Sequence, residues 1–171
     1  MKKIYSFFIF IIITSCGPNL VVDSKDYYVS CPSILFGSDH QNYIGSSTQD
    51  ISIDTIEYSG EINNAIFSKK CSFKDNEFFL EISILFIIKP LIEEISSANM
   101  PFYLAILNQD KELIDTFYFL AEGEFKKNLE TKKVIETDII KTFSLKHKSI
   151  NKDFVLVIGY VLDKKRKEIL N

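Results

Sequence analysis

The chain has 171 residues, 46% of them hydrophobic and 25% charged. Those are globular proportions for one domain and exclude wholesale disorder, while only 6 glycines and 4 prolines exclude collagen-like or linker-like chains. The formal charge is −3 and becomes −5 if the segment holding Lys2 and Lys3 is removed (−3 minus 2), which gives nucleic acid no electrostatic reason to bind. There are 15 Phe, 8 Tyr and no Trp. With abundant Ile, Leu and Thr, that composition suits pleated, half-buried surfaces.

In chain order, Met1-Lys2-Lys3 precedes an apolar run from Ile4 to Ile13 and then Thr14-Ser15-Cys16. A basic start, a short apolar stretch and small residues form the layout of a secretory signal peptide. The apolar run is about half the ~20 helical residues that span a bilayer. Ile13-Thr14-Ser15-Cys16 resembles a bacterial lipobox, in which an aliphatic and two small residues precede a modified cysteine. That resemblance implies removal of residues 1–15 and a diacylglycerol thioether on Cys16, followed by acylation of the new N-terminus. Several chains give stable anchoring because each buried CH₂ contributes ~0.8 kcal/mol. Gly17, rather than Asp, follows Cys16 and favours the outer over the inner membrane by resemblance to Gram-negative sorting. Residues 16–27 read as a tether.

Cys31 and Cys71 remain, and an even pair in an oxidising compartment reads as one disulfide. Two buried thiols are the alternative, and a metal or redox site is a remoter one, since no CxxC or histidine cluster is present. A strand is predicted within Tyr27–Phe36 around Cys31-Pro32, then a polar loop over 37–50. Ile51, Ile53, Ile56 and Tyr58 follow as an irregular strand, with Gly60 marking a bulge or a close backbone approach. The clearest strand is 77–89, with Leu80, Ile82, Ile84, Phe86 and Ile88 on one face. A hairpin is predicted from 101–107 and 112–120 around the polar turn Asn108–Lys111. Alternation resumes from Lys132 to Leu145, a last apolar strand spans Phe154 to Leu162, and 164–171 is a charged, solvated tail.

Seven or eight strands with almost no helical periodicity predict an all-β fold. The expected architecture is a single β-sandwich over 28–163, immunoglobulin-like in layering, with a small barrel as the alternative.

The mature chain resembles a group of small alphaproteobacterial cell-envelope lipoproteins of unassigned function. The residues that carry the resemblance are Cys31-Pro32, Cys71-Ser72-Phe73, Pro101–Ile106 and Val155–Tyr160, in that order over about residues 31–163. It implies an envelope location and a disulfide, and it supplies no reaction. The charged run after Leu162 departs from the pattern.

No catalytic residue, metal ligand or cofactor is assigned. His40 and His147 are the only histidines, both expected in solvated positions, and no GxSxG surrounds Ser38, Ser46 or Ser47. Glu93-Glu94 and Glu122/Glu124 read as solvated acids rather than an acid–base pair. Lys164–Lys167 offers charge toward anionic head groups but reads first as solvated. The pairs Phe78-Phe79 and Phe102-Tyr103, with Phe117-Tyr118-Phe119, place rings on both strand faces. Inner rings are core, and outer rings are candidates for a binding face. The expectation is a non-enzymatic module on the periplasmic face of the envelope. It is held to the membrane by lipid and meets another envelope protein. Binding of glycan, lipid or envelope polymer through exposed aromatics is the alternative.

Overall fold

A computed structural model describes residues 27–48, 51–148 and 154–171. Cys16, with the signal peptide and nearly all of the tether, lies outside the described residues. The fold is an all-β sandwich with one short helix. Twelve strands are described: β1 (Tyr27–Tyr28), β2 (Ser33–Phe36), β3 (Asn42–Gly45), β4 (Tyr58–Phe67), β5 (Ser72–Lys74), β6 (Glu77–Pro90), β7 (Ser97–Leu107), β8 (Leu113–Glu124), β9 (Lys126–Lys127), β10 (Val134–Ile135), β11 (Thr137–Lys148) and β12 (Val155–Tyr160). Helix α1 (Lys164–Leu170) follows.

The larger sheet is organised by β6. β11 pairs along one side of it from Glu77 to Ile88. The other side is shared end to end by β5 and β4, with β1 beyond β5 and β3 beyond β4. The smaller sheet has the order β2-β12-β7-β8, in which β2 and β12 run parallel and the other neighbours antiparallel. β9 and β10 form a separate two-stranded ribbon between β8 and β11.

The period-two pattern of β6 determines the core. Phe78, Leu80, Ile82, Ile84, Phe86 and Ile88 are buried on its inner face. They meet Met100, Phe102, Leu104 and Ile106 of β7 and Leu156, Ile158 and Tyr160 of β12. Phe102 lies at the centre, with ring centroids 5.3 Å from Phe86, 5.4 Å from Phe119 and 5.0 Å from Phe143, so its contacts reach three other strands.

Several sequence expectations change. Tyr27–Phe36 is two short strands in different sheets, because the chain crosses between layers at 29–32. Val29 N–H donates to Cys71 O at 3.0 Å, and Cys31 is bonded to Cys71 with Cα atoms 5.2 Å apart. The tether's last residue, Tyr27, already pairs with Phe73. β3 lies inside the expected 37–50 loop, and residues 51–57 hold a 3₁₀ turn at Ile53–Thr55 rather than a strand. Gly60 is a close approach and not a bulge: a Cβ there would meet Met100 Sδ, whereas the bulge falls between Ile62 and Asn64.

The expected charged, solvated tail is a capped helix. Asp163 accepts from Arg166 N–H at 2.8 Å. The Arg166 guanidinium bonds the Asp163 carboxylate, lies 5.0 Å over the Tyr43 ring, and donates through Nε to Ile44 O at 3.0 Å. The charged run therefore contributes Arg166 to the fold, and Lys164 pairs with Glu168 at 3.7 Å.

Tyr43, Tyr58 and Tyr160 are buried near this helix. Tyr58 Oη donates to Asn99 O at 2.8 Å, and Tyr160 Oη donates to Met100 Sδ at 3.5 Å. Burial pushes all three phenols above their ordinary range, Tyr160 furthest. The folded chain thus retains protons that the unfolded chain releases above about pH 10, so this stabilisation is complete below that pH and lost as pH rises beyond it. Urea midpoints measured from about pH 9 to pH 11 are expected to fall. Tyr160→Phe is expected to flatten the fall, and an equally steep decline in that variant would remove Tyr160 as its source.

Candidate interaction surface

The two outer faces of the sandwich differ. On the larger sheet, Ser68, just after β4, joins Ser83 of β6 and Thr142 of β11 in a hydroxyl chain, at 2.5 Å and 2.7 Å. Lys69 pairs with Glu81 at 2.8 Å, Lys146 pairs with Glu77, and Lys89 pairs with Glu136 at 3.4 Å. Phe79 faces outward here beside a cavity of about 390 Å³, with the Lys146 ammonium 5.2 Å over its ring. Between these pairs the same face carries apolar side chains: Ile66 is 58% exposed, and Ile140, opposite Leu85, is 68% exposed.

The smaller sheet turns an uncharged face outward. Strand register sets it in rows: Leu35, Val157, Ala105 and Thr116 across four strands, then Gly159, Tyr103 and Tyr118, then Pro101 and Leu120. Leu35 is 53% exposed, Tyr118 71% and Leu120 49%. Charge begins only in the next row, where Asn99 faces Glu122. From strand spacing and rise the uncharged area is roughly 300–400 Å², the size at which an apolar patch on a monomer is often functional.

Tyr103 anchors the centre of this face. Its hydroxyl lies where a Cβ at Gly159 would come within 2.6 Å, so only glycine fits beneath it. The His40 ring packs edge-on against Tyr103 at 5.7 Å and bonds through Nδ1 with Tyr160 O at 2.9 Å. Burial, aided by neighbouring Tyr118, lifts the Tyr103 phenol above its ordinary range. Tyr118, paired across from Tyr103, is open to solvent.

The other sequence candidates occupy different places. His40 is not solvated but wedged beside Tyr103. His147 is not exposed either: its side chain is 16% exposed, with Nε2 3.2 Å from Asp115 and its ring edge-on to Phe117. Ser46 bonds Thr48, and Ser47 N–H and Oγ donate to Glu57, so His40 has neither serine as a bonded partner. Glu93 is solvent-facing and paired with Lys133 at 2.8 Å, a contact that holds its carboxyl below the usual range. Glu122 and Glu124 line a cavity of about 640 Å³ between the ends of β8 and β11, with Asp138, Lys126 and Lys141. Among the described residues, no three His, Cys, Asp or Glu side chains are placed to hold a metal, and no helix is long and apolar enough to cross a membrane.

The paired aromatics were the legible signal for this surface: Phe102, Phe117 and Phe119 turn in, while Tyr103 and Tyr118 turn out. Leu35 and Val157 were missed because nothing in sequence brings 33–36 beside 155–158. Comparison with protein families, curated proteins and solved structures gives no match.

Proposed function

We propose that this chain is a lipid-anchored protein of the bacterial cell envelope. Its sandwich acts as a non-enzymatic interaction module that docks another envelope protein on the outer face of the smaller sheet. The lipobox resemblance at Cys16 supports the anchor. The uncharged rows around Tyr103 and Tyr118, set against an opposite face that mixes ion pairs with Ile66 and Ile140, support the docking role. A flat, ringed surface suits a protein better than a glycan, and the other outward ring beside a cavity, Phe79, is covered by Lys146.

The test combines two readouts on the full chain in bacterial cells. Intact mass of membrane-purified protein is expected to show loss of residues 1–15 and lipid on Cys16, both absent after Cys16→Ser. A photoreactive residue at Val157 is expected to crosslink an envelope protein, and one at Ile66 on the opposite face is not. Unlipidated mature chain overturns the anchor. Adducts at Val157 made only of lipid or polysaccharide overturn the docking role.

A further inference from the structure

We propose that β8 is a docking edge, accepting an extended segment of a protein partner as an added strand of the smaller sheet. The segment carries apolar side chains at alternating positions and a lysine or arginine toward Glu122 and Glu124. This rests on the interaction-module reading and specifies its contact.

Among the described residues five strands end one of the two sandwich sheets, and four are guarded: β1 has only two residues. β2 has only four residues. β3 also has four, and its Ile44 carbonyl is occupied by Arg166 from α1. β11 has twelve residues but carries Lys141, Lys146 and Lys148. Short length, cover and lysine are the devices that keep edges from pairing with other chains. β8 has none of them. It runs for twelve residues without lysine, arginine or proline, and Thr116–Ala121 is uncharged. An unguarded edge of that length is a template for strand addition.

Two hydrogen bonds fix which backbone groups are offered. Thr116 N–H donates to its neighbour's Asp115 Oδ1 at 2.8 Å, away from β7. Phe125 N–H, of opposite parity, turns inward to Ser96 O at 2.9 Å. Alternation along the strand then puts N–H and C=O of Tyr118, Leu120 and Glu122 on the free side. Asp115 closes the edge at Thr116, so pairing begins beyond it.

Side-chain chemistry selects the occupant. Alternate residues of an added strand lie beside Tyr118 and Leu120 on one face and near Phe119 and Phe143 on the other, where apolar groups fit. The charges of β8 itself are all acidic: Asp115, Glu122 and Glu124. A second copy would bring the same acids to the same edge, whereas a basic partner segment complements them.

The test uses random peptides matched to the 12 residues of β8, displayed and selected on the full chain in detergent. Enriched peptides are expected to alternate β-branched or aromatic residues and to end in lysine or arginine. Their affinity is expected to fall about tenfold or more on N-methylation of alternate amides, in Leu120→Lys, and in Glu122→Lys. It is expected to hold in Leu35→Lys, which is on the same face at the far edge; each variant is checked for native circular dichroism. Peptides indifferent to N-methylation but lost in Leu35→Lys overturn the edge while sparing the docking face. Absence of any enriched peptide overturns the edge, and the Val157 crosslink then judges the face separately. A concentration-dependent dimer in sedimentation that Leu120→Lys abolishes assigns the edge to a second copy and overturns the partner named here.

Discussion

Phe102→Ala is expected to lower the unfolding free energy by ~3–5 kcal/mol, the range for removing a fully buried phenylalanine from a core. Phe102 is wholly buried and touches the rings of Phe86, Phe119 and Phe143. Its loss therefore leaves a void shared by four strands, and edge-to-face ring contacts worth about 0.5–1.5 kcal/mol each beyond area are removed with it. Collapse of the void is opposed by the unbroken pairing of β6 with β11 on the opposing sheet. A domain of this size has about 5–15 kcal/mol in total, so the variant is expected at the margin of folding. Guanidinium unfolding provides the measurement, with half-buried Phe79 as the internal comparison. If Phe79→Ala, on the outer face, costs as much as Phe102→Ala, the core is not centred where the ring geometry puts it.

The second large effect concerns the covalent link. Replacing both Cys31 and Cys71 by alanine is expected to cost ~2–4 kcal/mol, because the bond closes a loop of 40 residues and restricts the unfolded chain. The native consequence is local. The crossover at 29–32 joins β1 in one layer to β2 in the other, and the disulfide ties that crossover to the segment entering β5. Without it, the two-residue β1 is held by its pairing with β5, by Lys70 over the Tyr28 ring, and by the neighbouring Val29 bond to Cys71 O. Hydrogen exchange at Val29 and along β2 is expected to accelerate more than exchange in β6. A thiol reductant is expected to reproduce the shift in the native chain and to leave the double variant unchanged. Equal midpoints for both proteins would show that the bond contributes nothing to stability.

The strands legible in the sequence were those whose alternation runs long enough to separate two faces. β6 alternates over twelve of its fourteen residues, and its inner set was readable directly. The β7–β8 hairpin was marked by its polar turn between apolar runs, and the closing strand β12 by Val155–Tyr160. β3 was hidden because Asn42 and Gly45 look like loop residues and only Tyr43 and Ile44 are apolar. β1, β9 and β10 have two residues each, too few for any period. Helix α1 has seven residues and no buried stripe; its placement depends on one arginine finding Tyr43 and Ile44, more than a hundred residues away in sequence.

The candidate surface was half legible for a related reason. Alternation tells which residues share a face, so the outward tyrosines of β7 and β8 were foreseeable. It does not tell which strands become neighbours. Leu35 and Val157 joined the surface only through the parallel pairing of β2 with β12. Nor does a sequence reveal which strands end a sheet, and so the contrast between unguarded β8 and its four guarded counterparts emerged only in three dimensions.

The position of β12 also governs when this surface comes into being. β12 lies between β2 and β7, and its Tyr160 carbonyl meets His40 across 120 residues of chain. Contacts that distant close slowly. In a polypeptide emerging from its N-terminal end, most partners of the larger sheet are present once β11 has appeared. The smaller sheet instead waits for residues 155–160. Until then Leu35 has no neighbour to align with, and Tyr103 has no Gly159 backbone to lie against. Chain order thus places every described strand of the larger sheet before β12, and the outer face of the smaller sheet is complete only once residues 155–160 are present.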